Sequence, residues 1–259
     1  MSIAIITGAS SGMGKEFVIQ LDKYYEIDEL IVIARRKELL LELQKYTKAK
    51  INALSLDLTK EESLNYYKEF IKEKTNGKRC VKLLINASGF GKFEEFEKGD
   101  LDIHNDMVDL NCKALQAITF STIPYMEENS DILEMASMSS IQPVPYICLY
   151  GATKAFVLSF SRALNIELRK QKIKVTALLP FWVKTDFFKV AKGEDLVKYF
   201  DLFYEKEFIV STTYKQLIKK HHKDYIVPGK FASFQYKLVK LLPHSLVMTI
   251  WLKKQKMKY

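Results

Sequence analysis

The stretch IAIITGASSGMG, residues 3–14, decides the fold, because it joins an apolar run to a glycine-rich turn and then to a helical pattern. Glycines let the backbone of such a turn approach a pyrophosphate closely, and the free N–H groups at the helix start attract its charge. The stretch therefore predicts a phosphate-binding turn made by Gly8, Ser10, Ser11, Gly12, Met13 and Gly14. A purely structural turn is the alternative interpretation of these residues taken alone.

Outward from this stretch, short apolar runs alternate with helical patterns along the chain. The runs recur at 30–34, 51–56, 82–86, 131–136 and 174–179, and apolar residues at helical spacing lie between them at 13–24, 36–48, 60–75 and 101–127. Such alternation is typical of right-handed βαβ units. The sequence predicts an α/β fold of the Rossmann type, a doubly wound parallel sheet with helices on both faces and ligands at the carboxyl ends of the strands.

Length and composition favour one domain over residues 1–259. The chain is 48% hydrophobic, which is sufficient for one sizeable core, and no linker rich in Pro, Gly or Ser interrupts it. The apolar start is too short for a signal peptide, so a cytoplasmic location is expected. Cys80, Cys112 and Cys148 are widely spaced and lack a CxxC or histidine-rich companion, so neither a disulfide framework nor a metal site is predicted.

Most of the net charge of +9 lies in the C-terminal segment, which argues against nucleic acid as a partner. Residues 230–259 contain seven Lys and no Asp or Glu, which leaves 33 of the 40 basic residues against 31 acidic ones elsewhere. Two apolar stretches in this segment are split by Pro243 and are too short to span a bilayer. A basic amphipathic tail of this kind predicts peripheral contact with an anionic membrane; packing over a substrate pocket or in a subunit interface is the competing interpretation.

Two arginines end the second apolar run, where an NAD-binding protein usually has an acidic residue. Arg35 and Arg36 favour a ribose phosphate instead, and hence NADP; two solvated charges at a helix start are the alternative. Asp57 follows the third run and is placed to bond an adenine edge. Taken alone, it could equally be a helix N-cap before Lys60.

Tyr150 and Lys154 in LYGATKAF are four residues apart in a helical pattern, so they share one face. A phenol has a pKa of about 10 and transfers protons poorly near neutrality unless a nearby positive charge stabilises the phenolate. Lys154 can supply that charge. Ser137, thirteen residues before Tyr150, follows an apolar run that would aim its hydroxyl at the same space, although Ser139 and Ser140 are close neighbours.

Several motifs together resemble the short-chain dehydrogenase/reductase family, in order and spacing from residue 3 to about residue 190. They are TGASSGMG, the arginine pair, Asp57, NASG at 86–89, Asn111 in DLNCKA, Ser137, YGATK and PFWVKTD at 180–186. The resemblance implies hydride transfer between the nicotinamide of NADP(H) and a carbonyl or alcohol carbon. It implies that Tyr150 is the general acid, Ser137 bonds the reacting oxygen, Lys154 holds the ribose and lowers the pKa of Tyr150, and Asn111 supports a water beside Lys154.

The resemblance also implies further cofactor contacts, from Leu58, Asn86, Ala87, Ser88, Pro180, Val183 and Thr185 as well as Tyr150 and Lys154. Thr185 has the position that reaches the nicotinamide carboxamide in the family. The sequence departs from the family pattern in the middle of NASG, at Ser140 and at Phe181, the last two standing where Gly is usual. Phe181 and Trp182 could narrow the nicotinamide pocket.

Residues 187–225 correspond to the segment that covers the substrate in similar proteins, so a lid is predicted there. Its aromatic residues are Phe187, Phe188, Tyr199, Phe200, Phe203, Tyr204, Phe208, Tyr214 and Tyr225, which suggest an apolar substrate or simply pack the lid onto the body. We expect an NADP-dependent ketoreductase or alcohol dehydrogenase that forms a homo-oligomer by family resemblance. The alternative is a non-catalytic nucleotide-binding regulatory or scaffold protein, against which the complete set of reacting groups argues.

Overall fold

Seven parallel strands form one sheet in the computed structural model, which describes residues 1–191, 197, 202–219 and 223–256. The strands are β1 (Ile3–Thr7), β2 (Glu29–Ala34), β3 (Lys50–Ser55), β4 (Val81–Asn86), β5 (Met126–Met135), β6 (Lys174–Leu178) and β7 (Tyr225–Ile226). Their order across the sheet is β3-β2-β1-β4-β5-β6-β7, and each neighbouring pair is parallel. The predicted Rossmann-type sheet is confirmed.

Helices cover both faces of this sheet. They are α1 (Gly12–Gln20), α2 (Lys37–Leu41), α3 (Glu61–Thr75), α4 (Leu101–Val108), α5 (Leu115–Thr122), α6 (Cys148–Glu167), α7 (Phe187–Ala191), α8 (Lys206–Leu217), α9 (Lys230–Val239) and α10 (His244–Lys254). Side chains alternate along β1, so Ala4 and Ile6 pack in the same cluster as Phe17 of α1, whereas Ile5 packs in the cluster of Tyr67 of α3. The strand β1, apolar except for Thr7, is therefore buried on both sides.

The segment 101–127, predicted as one helical stretch, is interrupted and ends earlier. A π-helical turn, Asp109–Ala114, separates α4 from α5, and the 3₁₀ turn Ile123–Tyr125 contains Pro124. Met126 already belongs to β5, where it pairs with Val81. Tertiary pairing with β4 overrides the local helical pattern at the last two residues of the predicted segment.

Two other elements differ from the sequence prediction. The helical pattern at 36–48 becomes α2 followed by a 3₁₀ turn, Glu42–Tyr46. The strand β7 has only two residues, which is too short to give a periodic signal. The single-domain assignment over residues 1–259 stays a prediction.

The strand order reverses at β1, which is followed in the chain by β2 on one side and lies beside β4 on the other. In open parallel sheets a crevice forms at such a reversal, outside the carboxyl ends of the strands. The register pairs Thr7 with Asn86, so the glycine turn after β1 and the NASG segment after β4 flank this crevice.

Candidate active site

The crevice between β1 and β4 brings the predicted phosphate-binding turn against NASG. Gly8 has a φ of +67°, and a Cβ there would lie 2.8 Å from the Ala87 carbonyl carbon and the Ser88 nitrogen. The Ser88 amide donates to Thr7 Oγ1 at 3.1 Å, which fixes the two segments together. Ser11 begins α1 without a side-chain capping bond, so the amides of the first helical turn, including those of Gly12, Met13 and Gly14, are oriented to hold an anion.

The residues predicted for the ribose and adenine lie beside this turn. Arg36 donates from Nη2 to Ser10 Oγ at 3.1 Å, so its guanidinium lies at the glycine turn, and Arg35 is exposed next to it. Asp57 accepts from the Thr59 amide at 3.1 Å and from its hydroxyl at 2.9 Å. Helix α3 begins at Glu61 with Lys60 as its N-cap, so Asp57 forms a local turn rather than a helix cap. Leu58 beside it is buried.

The segment PFWVKTD crosses the start of α1 and so closes the crevice from the other side. A Cβ on Gly12 would lie 3.8 Å from Thr185 Cβ. Pro180 accepts from the Met138 amide at 3.1 Å, which ties this segment to the loop that holds Ser137. Val183 is buried, and Met13, Pro180, Val183 and Thr185 line the same cavity as Tyr150. These residues fit a dinucleotide whose nicotinamide end reaches Tyr150.

Tyr150 and Lys154 lie on one face of α6, as their spacing predicts. The Lys154 Nζ is 5.7 Å from the centroid of the Tyr150 ring, and it donates to the Met135 carbonyl oxygen at 2.7 Å. Gly91 lies against the phenol, because a Cβ there would be 2.7 Å from a ring carbon of Tyr150. The ring of Phe187 is 5.4 Å from that of Tyr150. The phenol is therefore held between backbone and an aromatic ring.

Burial shifts both of these reacting groups. It raises the pKa of Tyr150 to about 12, opposed by a hydrogen bond with the Ser137 side chain. It lowers the pKa of Lys154 to about 8, opposed by the negative charges of Cys112 and Glu134 when these are ionised. Desolvation is the largest influence on the phenol and raises its pKa overall, and the lowering of that pKa by Lys154 stays a prediction. Tyr150 is thus a protonated donor near neutrality.

Asn111 occupies the π-helical turn between α4 and α5 and is fully buried. Its Oδ1 accepts from the Phe90 amide at 3.1 Å, and its Nδ2 donates to the Phe90 carbonyl at 2.9 Å and to Thr153 Oγ1 at 3.0 Å. A Cβ on Gly89 would lie 2.8 Å from Asn111 Oδ1 and 3.3 Å from Lys154 Nζ, so both groups border the same small space. Asn111 holds the backbone after NASG; its support of a water stays a prediction.

Glu134 is a buried carboxyl behind the reacting groups that the sequence analysis missed. Its Oε1 accepts from Thr119 Oγ1 at 2.7 Å and from Asn86 Nδ2 at 3.2 Å, whereas its Oε2 and Asn86 Oδ1 lack a partner in the described part of the chain. Burial raises the pKa of Glu134 to about 7, opposed by these two bonds and by the charge of Lys154. The sequence feature that could have identified Glu134 is its position as an acidic residue within the apolar run DILEMA. Gly91 and Thr153 were also missed.

A cavity of about 290 Å³ reaches from Met13 of the glycine turn past Tyr150 to the C-terminal helices. Ser137, Ser139, Gln142 and Tyr150 form one wall, and Trp182, Phe187, Phe188, Leu238, Leu242, Val247, Ile250 and Trp251 are among the apolar residues that complete it. Phe181 and Trp182 both line it, and the ring centroids of Trp182 and Trp251 are 6.4 Å apart. Ser139 Oγ and Gln142 Oε1 are buried without a hydrogen-bond partner among the described residues. The cavity therefore suits a mainly apolar molecule.

The predicted lid divides into two kinds of structure. Phe187 and Phe188 line the cavity, and Phe203 packs on Phe188 with ring centroids 5.1 Å apart. By contrast, Tyr214 of α8 is buried against Phe17 and donates to its carbonyl at 2.7 Å, so α8 packs onto the body. Tyr199 and Phe200 lie outside the described residues.

The C-terminal segment completes the far wall of the cavity. Trp251 of α10 donates from Nε1 to the Pro145 carbonyl at 3.1 Å, and Val247 and Leu252 are buried. Packing over the pocket, one of the two interpretations of this segment, is therefore present in the structure. Its contact with a membrane is a separate question, because the outer faces of α9 and α10 remain exposed.

Comparison with known proteins agrees with this geometry. Very-long-chain 3-oxoacyl-CoA reductase of Rattus norvegicus is 31% identical over 194 residues, covering 73% of this chain and 62% of that protein. An 11-beta-hydroxysteroid dehydrogenase of Pinus massoniana is 32% identical over 206 residues, covering 76% of this chain and 56% of that protein. The chain thus spans between 56% and 62% of the length of these curated relatives.

The fold also has solved counterparts. A short-chain dehydrogenase from Sphingobium yanoikuyae in complex with NADPH superimposes with a TM-score of 0.78 at 23% identity, covering 95% of each chain. The family model described as short chain dehydrogenase matches residues 2–195, which include the glycine turn, Ser137, Tyr150 and Lys154. The chain therefore belongs to the short-chain dehydrogenase family.

Proposed function

We propose that this protein is an NADP(H)-dependent oxidoreductase that interconverts a carbonyl group and an alcohol on an apolar substrate. One observation carries the proposal: Tyr150, Ser137 and Lys154 meet where the dinucleotide crevice joins the apolar cavity. When bound, the nicotinamide would supply or accept a hydride. Proton transfer and stabilisation of charge are carried out by side chains of the protein.

For reduction, the protein must deliver a proton to the oxygen that gains charge. Tyr150 is protonated because burial raises its pKa to about 12, so it can donate that proton. The Ser137 hydroxyl, hydrogen-bonded with Tyr150, can donate a second bond to the same oxygen. Lys154 stabilises the phenolate that remains, because its ammonium lies near the Tyr150 ring in a buried site. For oxidation the same groups act in reverse.

The arginine pair supports NADP over NAD. Arg36 already reaches Ser10 at the glycine turn, and Arg35 adds a second exposed positive charge there. Both would face a phosphate on the adenosine ribose, with no acidic residue at the end of β2 to repel it. We expect NADPH to bind at least about tenfold more tightly than NADH, which corresponds to about 1.4 kcal/mol.

Titration of both cofactors tests this preference. Arg36→Ala should weaken NADPH binding and leave NADH binding close to the wild-type value. Arg169→Ala removes an exposed arginine far from the turn in sequence and serves as the matched control. Equal affinities of the wild-type protein for the two cofactors would contradict the assignment.

The cavity supports a substrate with a large apolar part beside its carbonyl group. Its walls are mainly Leu, Val, Ile, Phe and Trp side chains, which favour hydrocarbon over water. Two relatives, named as a very-long-chain 3-oxoacyl-CoA reductase and an 11-beta-hydroxysteroid dehydrogenase, support this class. Aliphatic ketones, cyclic ketones and 3-oxoacyl thioesters are therefore the first compounds to assay.

NADPH oxidation against this panel, with Tyr150→Phe as the inactive reference, tests the proposal. We expect turnover with at least one bulky apolar carbonyl and none in the variant. Tight NADPH binding without turnover of any ketone, aldehyde or acyl thioester would favour the non-catalytic nucleotide-binding alternative. Turnover retained in Tyr150→Phe would contradict the role of the phenol.

Self-association is proposed on a second face of the protein. Phe120 of α5 and Phe156 of α6 are exposed, and Phe156 stacks on Phe160 with ring centroids 5.8 Å apart. Exposed aromatic groups of this kind support a contact with another copy. Sedimentation of the wild type against Phe120→Ser tests it, with loss of the larger species expected in the variant. The cytoplasmic location stays a prediction.

A further inference from the structure

The outer surfaces of α9 and α10 carry an apolar face, here called the tail face, made of Phe231, Phe234, Leu238, Leu241, Leu246 and Ile250. Leu241 is 83% exposed and Phe234 is 64% exposed. The first four of these residues recur at intervals of three and four along α9 and its end, so they share one side; the other two are four apart on α10. Large side chains are thus presented outward in a group rather than singly.

The same two helices are anchored by a different set of residues on their inner sides. Ala232 and Tyr236 of α9 and Val247 and Leu252 of α10 are buried. Trp251 adds its hydrogen bond to the Pro145 carbonyl. The helices therefore have apolar residues on both sides; of the outer set, Phe231 also packs on Phe181, whereas Phe234 and Leu241 are mostly exposed.

The helices that carry the tail face also carry lysines. Lys230, Lys237, Lys240, Lys253 and Lys256 are exposed, and Lys254 is half-buried at the cavity. Residues 230–259 contain no Asp or Glu to offset them. Apolar side chains and positive charge on the same two helices match a surface whose interior is hydrocarbon and whose headgroups are anionic.

The tail face is continuous with the cavity. Leu238 and Ile250 line the cavity, yet they are 43% and 50% exposed. The apolar interior thus reaches the surface between α9 and α10. An apolar molecule leaving the cavity at this point meets hydrocarbon side chains rather than a polar rim.

We propose that the tail face docks on an anionic lipid bilayer, with its apolar side chains in the headgroup boundary and its lysines on the lipid phosphates and carboxylates. A second copy of this chain fits the face poorly, because a two-fold contact would bring the same lysines together without any acidic partner. Within the described residues no helix is long and apolar enough to cross a membrane.

Vesicle co-sedimentation of the full chain tests docking without any assay of turnover. We expect binding to vesicles of phosphatidylcholine mixed with phosphatidylserine, weaker binding as salt rises, and little binding to phosphatidylcholine alone. Phe234→Ser with Leu241→Ser should weaken binding at least about tenfold, because two apolar side chains no longer enter the headgroup boundary. Neither residue lines the cavity, so the cavity itself is unchanged. Lys237→Gln should weaken it about fivefold, the value of one charge near an anionic surface.

Matched variants elsewhere on the surface distinguish docking through the tail face from nonspecific adsorption to vesicles. Leu41→Ser on α2 and Lys48→Gln remove an exposed apolar residue and an exposed lysine away from the tail face, and both should bind vesicles as the wild type does. If the wild type stays in the supernatant with every vesicle, or if the control variants lose as much binding as the tail-face variants, the proposal is overturned. A dimer that dissociates only in Phe234→Ser with Leu241→Ser would assign the face to a second copy instead.

Discussion

The cavity has two walls that are built by opposite physical means. The reaction wall is the side formed by Tyr150, which lines the cavity, together with the buried polar groups behind it. Lys154 donates to a backbone carbonyl, and Asn111 and Glu134 bond to nearby backbone and side-chain groups, all at 2.7–3.2 Å. The opposite wall, here the substrate wall, is formed by aromatic and aliphatic side chains such as Trp182 and Trp251, held by packing. One wall is fixed by hydrogen-bond geometry and the other by contact area.

This difference predicts different penalties for substitution. A buried polar group that loses its partner incurs its full desolvation cost, and the position of a reacting atom changes with it. Contacts on the apolar wall are individually weak and nearly interchangeable. Changes on the reaction wall should therefore act mainly on kcat, whereas changes on the substrate wall should act mainly on KM.

The largest effect is expected from Tyr150→Phe. This variant removes the proton donor and keeps the ring that packs on Gly91 and Phe187. With a carbonyl substrate in hand, kcat should fall about 10³-fold, within the usual contribution of general acid catalysis. NADPH affinity, measured by fluorescence titration, should stay near the wild-type value. A variant with near-normal kcat would break the distinction between the walls.

Lys154→Met should lower kcat for reduction about 100-fold and alter its pH profile. Burial lowers the pKa of Lys154 from 10.5 to about 8, so the wild type loses the ammonium as pH rises through about 8. Reduction by the wild type should therefore decline above that pH, whereas the variant should show no decline attributable to this group. Initial rates from pH 6 to pH 9 at saturating NADPH make the comparison. An identical decline in both proteins would assign it to another group.

The reaction wall was largely predictable from sequence, and the reason is chemical. Tyr150 and Lys154 must share a helix face, which fixes their spacing, and the glycine turn must open α1 next to NASG. The structure brings these segments together as expected. Asn111 was found by resemblance, but its bonds to Phe90 and Thr153 depend on a π-helical turn that no local pattern reveals.

The substrate wall was not predictable to the same degree. The aromatic residues of 187–225 looked alike in sequence, yet Phe187 lines the cavity whereas Tyr214 packs against Phe17 in the body. Only the packing of α8 against α1 in the structure distinguishes the role of Tyr214 from that of Phe187. The tail sequence predicts contact with a membrane, with packing over the pocket or in a subunit interface as the alternative. In the structure its inner side lines the pocket and its outer side is exposed. When both sides of a helix are apolar, the hydrophobic pattern alone cannot show which side packs on the protein and which is exposed.

Glu134→Gln should stabilise the protein at alkaline pH, because it removes a buried ionisable group while keeping a hydrogen-bonding side chain. Burial raises the pKa of Glu134 from 4.5 to about 7, so the folded state binds the proton more tightly than the unfolded chain does. The wild type therefore loses stability as pH rises from 4.5 through about 7. Above that window the variant should gain about 1–3 kcal/mol in the free energy of unfolding.

Urea unfolding at pH 5 and pH 8 measures this difference. The two proteins should differ little at the lower pH and most at the higher one. Glu128→Gln is the matched control, since Glu128 lies in the same strand but is exposed and paired with Lys172. A gain that is the same at both pH values would contradict the titration of Glu134, and with it the electrostatic description of the reaction wall.

The smallest effect, on KM alone, is expected from Gln142→Leu, which tests where the two walls meet. Gln142 lines the cavity, and its Oε1 is buried without a hydrogen-bond partner among the described residues. Leu should lower KM for a purely hydrocarbon ketone about threefold, because the unpaired oxygen no longer faces the substrate. KM for a ketone with a hydroxyl in reach of Oε1 should rise by a similar factor, because that hydroxyl loses its acceptor.

Gln235→Leu, also in the cavity wall, is the control: it should change KM for the two ketones by the same factor. Among the described residues no hydrogen bond joins Gln142 to Tyr150 or Lys154, so kcat should stay constant. A change in kcat at constant KM would instead assign Gln142 to the reaction wall.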